Sequence, residues 1–211
     1  YQALGRDNMC LLWHLKEVLA GLPFRSLLDA GGGVRVSRNI CLPEQVRSAT
    51  VIDPDAAMLG LLAGEYKDPR VRTIAGTAIP SGERADLVCF ILSLPWADDP
   101  AAALAAAASA SPEFIVVSNP DFSPEQLALL PACALGHGEE IARVLERFYA
   151  RRLDADEVLA SRGYYPLVVY GSRSWSPTPE HTVRTVLYTA EMPDRVPYDN
   201  AKYIIQVNGK C

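Results

Sequence analysis

Five short, mostly continuous apolar runs constrain this chain more than any other feature: "FRSLLDA", "SATVIDP", "RVRTIAG", "ADLVCFILSL" and "EFIVVSNP". Strands with one face in water alternate apolar and polar residues, whereas strands covered on both faces stay apolar along their length. Helical patterns fill the gaps. "VSRNICLPEQV" supplies a helix whose length Pro43 limits, "AAMLGLLAGEY" follows the second run, and "DPAAALAAAASAS" follows the fourth, helical by alanine propensity. Ahead of them all, "CLLWHLKEVLAGL" places Leu11, Leu12, Leu15, Val18 and Leu19 on one stripe before Gly21 and Pro23 stop it. Strand and helix in this cadence predict an α/β fold with right-handed crossovers, a doubly wound and mostly parallel sheet with helices on both faces.

After Asn119 the rhythm changes. "SPEQLALLPACALGHGEEIARVLERFYARR" reads as mainly helical, "DADEVLASRG" as a further helix, and "YYPLVVYGSRSW" with "HTVRTVLYTAEM" as a hairpin joined by "SPTPE". The expected sheet therefore has about seven strands, with an antiparallel strand at one edge. The apolar "KYIIQV" of the tail can pair with a sheet edge or with a second subunit, so a homodimer is one expectation.

Composition narrows the partners. The chain has 211 residues, enough for one domain with a sizeable core, and its net charge of -5 argues against a nucleic-acid partner, which needs clustered Lys and Arg. No apolar run is long enough to span a bilayer, and no basic start followed by an apolar block marks a signal peptide. The five cysteines are odd in number and far apart, no C-x-x-C occurs, and the three histidines stand alone, so neither a metal site nor a disulfide framework is expected. A cytoplasmic protein with reduced thiols is the expectation.

The stretch "SLLDAGGGVRVS" carries the chemistry. A strand that ends in an acid and three glycines lets a ligand approach the backbone closely. The dinucleotide pattern G-x-G-x-x-G fails, because Val36 takes the last glycine's place counting from Gly31, and Val34 the second's counting from Gly32. The stretch instead resembles the first motif of class I S-adenosylmethionine (SAM) dependent methyltransferases, a strand followed by acid-x-Gly-x-Gly, with Asp29, Gly31 and Gly33 in those positions. Many members carry another glycine where this chain has Arg35. Either the turn differs locally, or the Arg35 guanidinium points toward the SAM carboxylate.

Further segments extend the resemblance. Asp53 lies 24 residues after Asp29, the spacing of one β-α-β unit, at the place where the family's acid grips the ribose hydroxyls. A carboxylate suits a diol because it only accepts hydrogen bonds. The competing role for Asp53 is a helix N-cap, which Asp55 can itself supply. Pro54 and Met58 then fall near the adenine. Gly76-Thr77-Ala78 occupies the place of a Gly-Asp-Ala turn at the adenine amino group. Asp86 opens a strand whose carboxyl end carries Ser93 and Trp96, and "VSNPDF" brings Asn119 and Asp121 to the same rim.

The resemblance implies SAM as cofactor, S-adenosylhomocysteine (SAH) as product, and a methyl acceptor that is a small molecule or short peptide. Asp29, Ala30, Gly31, Gly33, Asp53, Pro54, Met58, Gly76, Thr77, Ala78 and Ser93 are the expected cofactor residues, and Trp96 and Asn119 the acceptor pocket. His137, Tyr165 and Asp121 are the catalytic candidates. Residues 9–122 form the SAM-binding half, 123–153 a helical cap over the acceptor, and 154–211 the final helix, hairpin and tail. Two alternatives stand beside this reading: an NAD(P)-dependent oxidoreductase, and a non-catalytic interaction module of the same fold.

Overall fold

The computed structural model describes residues 22–33, 44–65, 68–110, 112–121, 138–174, 181–190 and 203–205, together with residues 19, 42 and 125. The expected helices over "CLLWHLKEVLAGL" and "VSRNICLPEQV" lie mostly outside these residues, as does the stretch 126–137.

Each apolar run becomes a strand: β1 Ser26–Ala30, β2 Ser48–Asp53, β3 Val71–Ala75, β4 Leu87–Ile91 and β5 Phe114–Asp121. Helix α1, Ala56–Glu65, links β2 to β3, and α2, Pro100–Ser109, links β4 to β5. Helices α3, Gly138–Ala150, and α4, Ala155–Ala160, precede the hairpin of β6, Tyr165–Ser174, and β7, His181–Thr189, and β8 is Tyr203–Ile205.

The described strands form one sheet in the order β3-β2-β1-β4-β5-β7-β6-β8. β1 to β5 pair in parallel, and β7 runs antiparallel between β5 and β6. The seven expected strands are present. The antiparallel strand is flanked on both sides, and β6 and the short β8 carry the sheet on to its edge. β8 pairs in parallel with β6, so Tyr203–Ile205 of the tail meet a sheet edge of their own chain.

Successive residues of the central strands alternate between two buried clusters. Leu27, Val51, Cys89 and Val116 pack with Leu59 and Leu62 of α1 on one face. Leu28, Ile52, Val88, Phe90 and Ile115 pack on the other face with Leu104 of α2, Phe148 of α3 and Leu159 of α4. Burial on both faces is why these strands read as continuous apolar runs. Aspartates start three of the helices: Oδ1 of Asp55 accepts from Ala57 and Met58, that of Asp99 from Ala102, and that of Asp154 from Asp156 and Glu157.

Asp86 fastens the amino ends of β1 and β4. Its Oδ2 accepts from the backbone N–H groups of Arg25 and Ser26 at 2.8 Å each, and its own N–H donates to the Ser26 hydroxyl at 2.8 Å. Burial by itself raises the Asp86 carboxyl, but these hydrogen bonds outweigh it and hold the group below the ordinary carboxylate value.

Candidate functional site at the carboxyl ends of the strands

The chain builds β1, β2 and β3 to one side and β4 and β5 to the other, so the order reverses between β1 and β4. Loops leaving the carboxyl ends of those two strands diverge and open a crevice, where open α/β sheets take their ligands. The glycine loop leaves β1 at this point, and Ser93 follows β4. They interlock: the Ser93 hydroxyl donates to the Ala30 carbonyl at 2.5 Å, and a Cβ on Gly31 would fall 2.5 Å from the Cβ of Ser93. Gly31 has φ +74° and its N–H donates to the Ile52 carbonyl at 2.7 Å. No side chain fits that space.

The two acids stand on one face of the sheet. Asp29 is level with Val51 of β2 and Cys89 of β4, and Asp53 lies two residues beyond Val51, about 7 Å further along its strand. Asp29 is 1% exposed, and Gly32 passes directly over it, since a Cβ there would fall 2.4 Å from Oδ2. Burial, followed by the Asp29 charge, pushes the neighbouring Cys89 thiol well above its ordinary value. Asp53 is half-buried and organises the rim. Its Oδ2 accepts from Gly33 N–H at 2.9 Å, its Oδ1 from Asp55 N–H at 2.8 Å, and its carbonyl from Gly76 N–H at 3.1 Å. A carboxylate has about four acceptor positions, so each oxygen keeps one to offer outward. Asp55, not Asp53, caps α1 through its side chain.

Thr77 and Ala78 are exposed beyond Gly76, Pro54 is exposed, and Met58 is half-buried on α1. On the far side of the crevice, a 3-10 turn at Leu94–Trp96 leaves Trp96 44% exposed. Leu92 precedes it with φ +56° and donates its N–H to the Ser118 carbonyl at 2.8 Å. Nothing in the sequence flagged that left-handed leucine. Asn119 is half-buried at the end of β5, and Asp121 is exposed two residues on. Helix α3 abuts this rim: the Tyr149 hydroxyl donates to the Pro120 carbonyl, and Arg151 Nη1 donates to the Ala97 carbonyl at 3.1 Å.

Tyr165 requires a correction. It opens β6 opposite Thr189, which also pairs with Phe114, so it lies at the amino end of the sheet, the length of β5 away from Asp121. The antiparallel return of β7 places the start of β6 there, a consequence of topology that local sequence does not reveal. The adjacent Tyr164 is buried and donates to the Pro112 carbonyl at 2.8 Å, a packing role. His137 and Arg35 lie outside the described residues. Among those residues no cluster of side chains suited to a metal ion occurs, and no helix is long and apolar enough to cross a membrane. A shallow hollow of about 360 Å³ lies elsewhere, beside Leu62, Asp68 and Val71 at the amino end of β3.

No protein-family model matches the sequence, and no curated protein matches it. Solved structures do match the fold. Magnesium protoporphyrin IX methyltransferase (ChlM) from Synechocystis PCC 6803 with bound SAH aligns with a TM-score of 0.66 at 14% identity, over 90% of this chain and 86% of that one. The chain has the class I methyltransferase fold. The N-methyltransferase NodS from Bradyrhizobium japonicum WM9, in complex with SAH, gives 0.58 at 13% identity, over 88% of this chain and 87% of its own. The methyltransferase domain of bacterial-CtHen1-C gives 0.59 at 13% identity, over 88% of this chain and the whole of its own.

Proposed function

We propose that the protein is a SAM-dependent methyltransferase acting on a small-molecule or short-peptide acceptor. The observation that carries this reading is the Asp53 carboxylate at the tip of β2, held by Gly33 and Asp55 with acceptor positions to spare beside a glycine loop that excludes side chains. That arrangement fits a ribose diol next to a ligand that touches backbone. The solved structures of this fold with bound SAH support the same reading.

Asp53 would hold the ribose, and the loop Ala30–Gly33 over Asp29 the amino-acid part. The Gly76–Ala78 turn, with Pro54 and Met58, would border the adenine, and Ser93 would close the crevice between the halves. When bound, SAM supplies a methyl carbon already activated by its sulfonium. What remains for this chain is to place the acceptor in line with the S–CH3 bond and to exclude water. Trp96 and Asn119 would wall that acceptor, with Asp121 and His137 as the groups able to receive a proton. The net charge of -5 supports an acceptor other than a nucleic acid.

Thermal denaturation with SAM, SAH and NAD added separately tests the proposal, because a ligand that binds only the native state raises its melting temperature. Stabilisation by SAH is the expected result. Stabilisation by NAD alone would turn the reading to an oxidoreductase, and by none of them to a non-catalytic module.

A further inference from the structure

Ser93 makes two hydrogen bonds that run in opposite directions. Its hydroxyl donates to the Ala30 carbonyl at 2.5 Å, and its own carbonyl accepts from the Trp96 N–H at 3.0 Å. The first bond reaches the glycine loop after β1, and the second closes the 3-10 turn after β4. The β1–β4 register ends with Asp29 opposite Cys89, so the hydroxyl links the two strands beyond the point where their register stops.

Local preference does not account for this choice. Ser93 is the N-cap of the Leu94–Trp96 turn, a position where a serine side chain ordinarily accepts from a nearby backbone N–H, yet its side chain makes no capping bond. Leu92, just before it, holds φ +56°, an unfavourable conformation for a leucine, and its N–H is fastened to the Ser118 carbonyl at 2.8 Å. Both departures have one result: the hydroxyl is aimed at the glycine loop. Backbone strain persists only where the surroundings over-determine it, and it gathers at functional sites.

The loop is held from its other flank as well. Gly31 N–H donates to the Ile52 carbonyl at 2.7 Å and Gly33 N–H to Asp53 Oδ2 at 2.9 Å, so β2 fixes one side and Ser93 the other. Ser93 is half-buried and belongs to neither hydrophobic cluster, so losing its hydroxyl leaves the core packing untouched.

We propose that Ser93 is a positioning residue, whose hydroxyl holds the glycine loop in its ligand-receiving shape and sets the Trp96 turn in register with it. This rests on the methyltransferase reading, in which the loop takes the amino-acid part of SAM and Trp96 walls the acceptor. The hydroxyl acts through the loop and the turn rather than on the reacting atoms. A loop shaped before the ligand arrives binds with its full intrinsic affinity, whereas one that samples other shapes binds more weakly by the fraction that is competent. Placing Trp96 through the same residue fixes the acceptor wall relative to the cofactor loop, as in-line transfer requires.

Ser93→Ala removes the hydroxyl and keeps the Cβ, and Ser93→Thr returns a hydroxyl. Three quantities are read for each: SAH affinity by isothermal titration calorimetry, the melting temperature, and the fluorine NMR signal of 5-fluorotryptophan at position 96, assigned with Trp96→Phe. Ser93→Ala should weaken SAH binding about fivefold or more and shift or broaden the Trp96 signal in ligand-free protein. Its melting temperature should stay within about 3 °C of wild type, the span of a single lost hydrogen bond. Ser93→Thr should return the affinity to within twofold and restore the signal. Unchanged SAH affinity or an unchanged Trp96 signal in the alanine variant overturns the proposal, and so does a threonine variant that fails to recover both. An alanine variant that does not fold, or melts lower than that span, makes the hydroxyl a structural tie and overturns it too. Failure of SAH to bind the wild type sinks the methyltransferase reading separately, and a Trp96 signal that still follows the two Ser93 variants would then leave Ser93 joining the loops in a protein of other function.

Discussion

Gly33 and Asp53 are joined by a backbone N–H to carboxylate hydrogen bond of 2.9 Å, so the loop after β1 is fastened by the acid at the tip of β2. On the proposed function, ligand affinity and loop order are coupled through this one side chain. Asp53→Ala should weaken SAH binding tenfold or more, given about 1.5–3 kcal/mol for a hydrogen bond to a charged group. Asp53→Asn keeps an oxygen acceptor and should fall between the two. Isothermal titration calorimetry measures both, and unchanged affinity in a folded alanine variant removes Asp53 from the site.

Gly31 and Gly33 both adopt positive φ, but only Gly31 is also sterically closed. A Cβ there meets Ser93 at 2.5 Å, whereas at Gly33 the nearest atom is Asp53 Oδ2 at 3.7 Å. Gly33→Ala should cost about 1–2 kcal/mol from backbone strain alone, and Gly31→Ala clearly more. Adding Ser93→Gly should restore part of the Gly31→Ala loss by removing the clash. Urea denaturation of the three variants orders them, and equal losses at both glycines would contradict the interlock.

Asp86 makes a contribution that depends on pH. Its carboxyl sits below the ordinary value in the folded chain, because its hydrogen bonds to Arg25 and Ser26 outweigh the cost of burial. Such a group stabilises the fold above the unfolded carboxylate value of about 4 and loses that contribution as pH falls through the lower folded value. Asp86→Asn should destabilise the protein at neutral pH by about 1–3 kcal/mol. The gap to wild type should narrow as pH drops through the acid range, as followed by chemical denaturation at stepped pH.

Helix α4 is tied to β7 through Asp156, which accepts from the Tyr188 hydroxyl at 2.5 Å and from Arg184 at 2.8 Å. Burial, then the neighbouring Asp156, raises the Tyr188 phenol far above its usual range. Tyr188→Phe removes one bond and leaves the ion pair, so it should cost about 1 kcal/mol. Asp156→Ala strands a buried hydroxyl and a guanidinium together and should cost about 2–3 kcal/mol by the same reasoning. Calorimetric melting of both variants tests the order, and a phenylalanine variant less stable than the alanine one would reverse it.

The strands were legible because burial on both faces writes itself into consecutive apolar residues, and α1 and α2 because the Asp55 cap and an alanine-rich run are local signals. Asp53 was legible as a candidate because spacing along one β-α-β unit is a property of the chain. Tyr165 was misplaced because its distance from the rim depends on where the antiparallel hairpin enters the sheet. The interlock of Gly31 with Ser93 left no trace in either segment, since it is a relation between loops distant in sequence, and the fold of Gly32 over Asp29 depends on the turn that the strand pairing imposes.

What the amino-acid sequence determined alone was the order and type of elements and the residue kinds available at their ends. Tertiary structure decided which ends meet. The reversal of strand order between β1 and β4 draws the glycine loop and Ser93 together, and the β5–β7 pairing sets Asn119 beside an arginine already committed elsewhere. Periodicity and caps act over a few residues and are therefore written locally, whereas a crevice exists only once non-adjacent strands have paired.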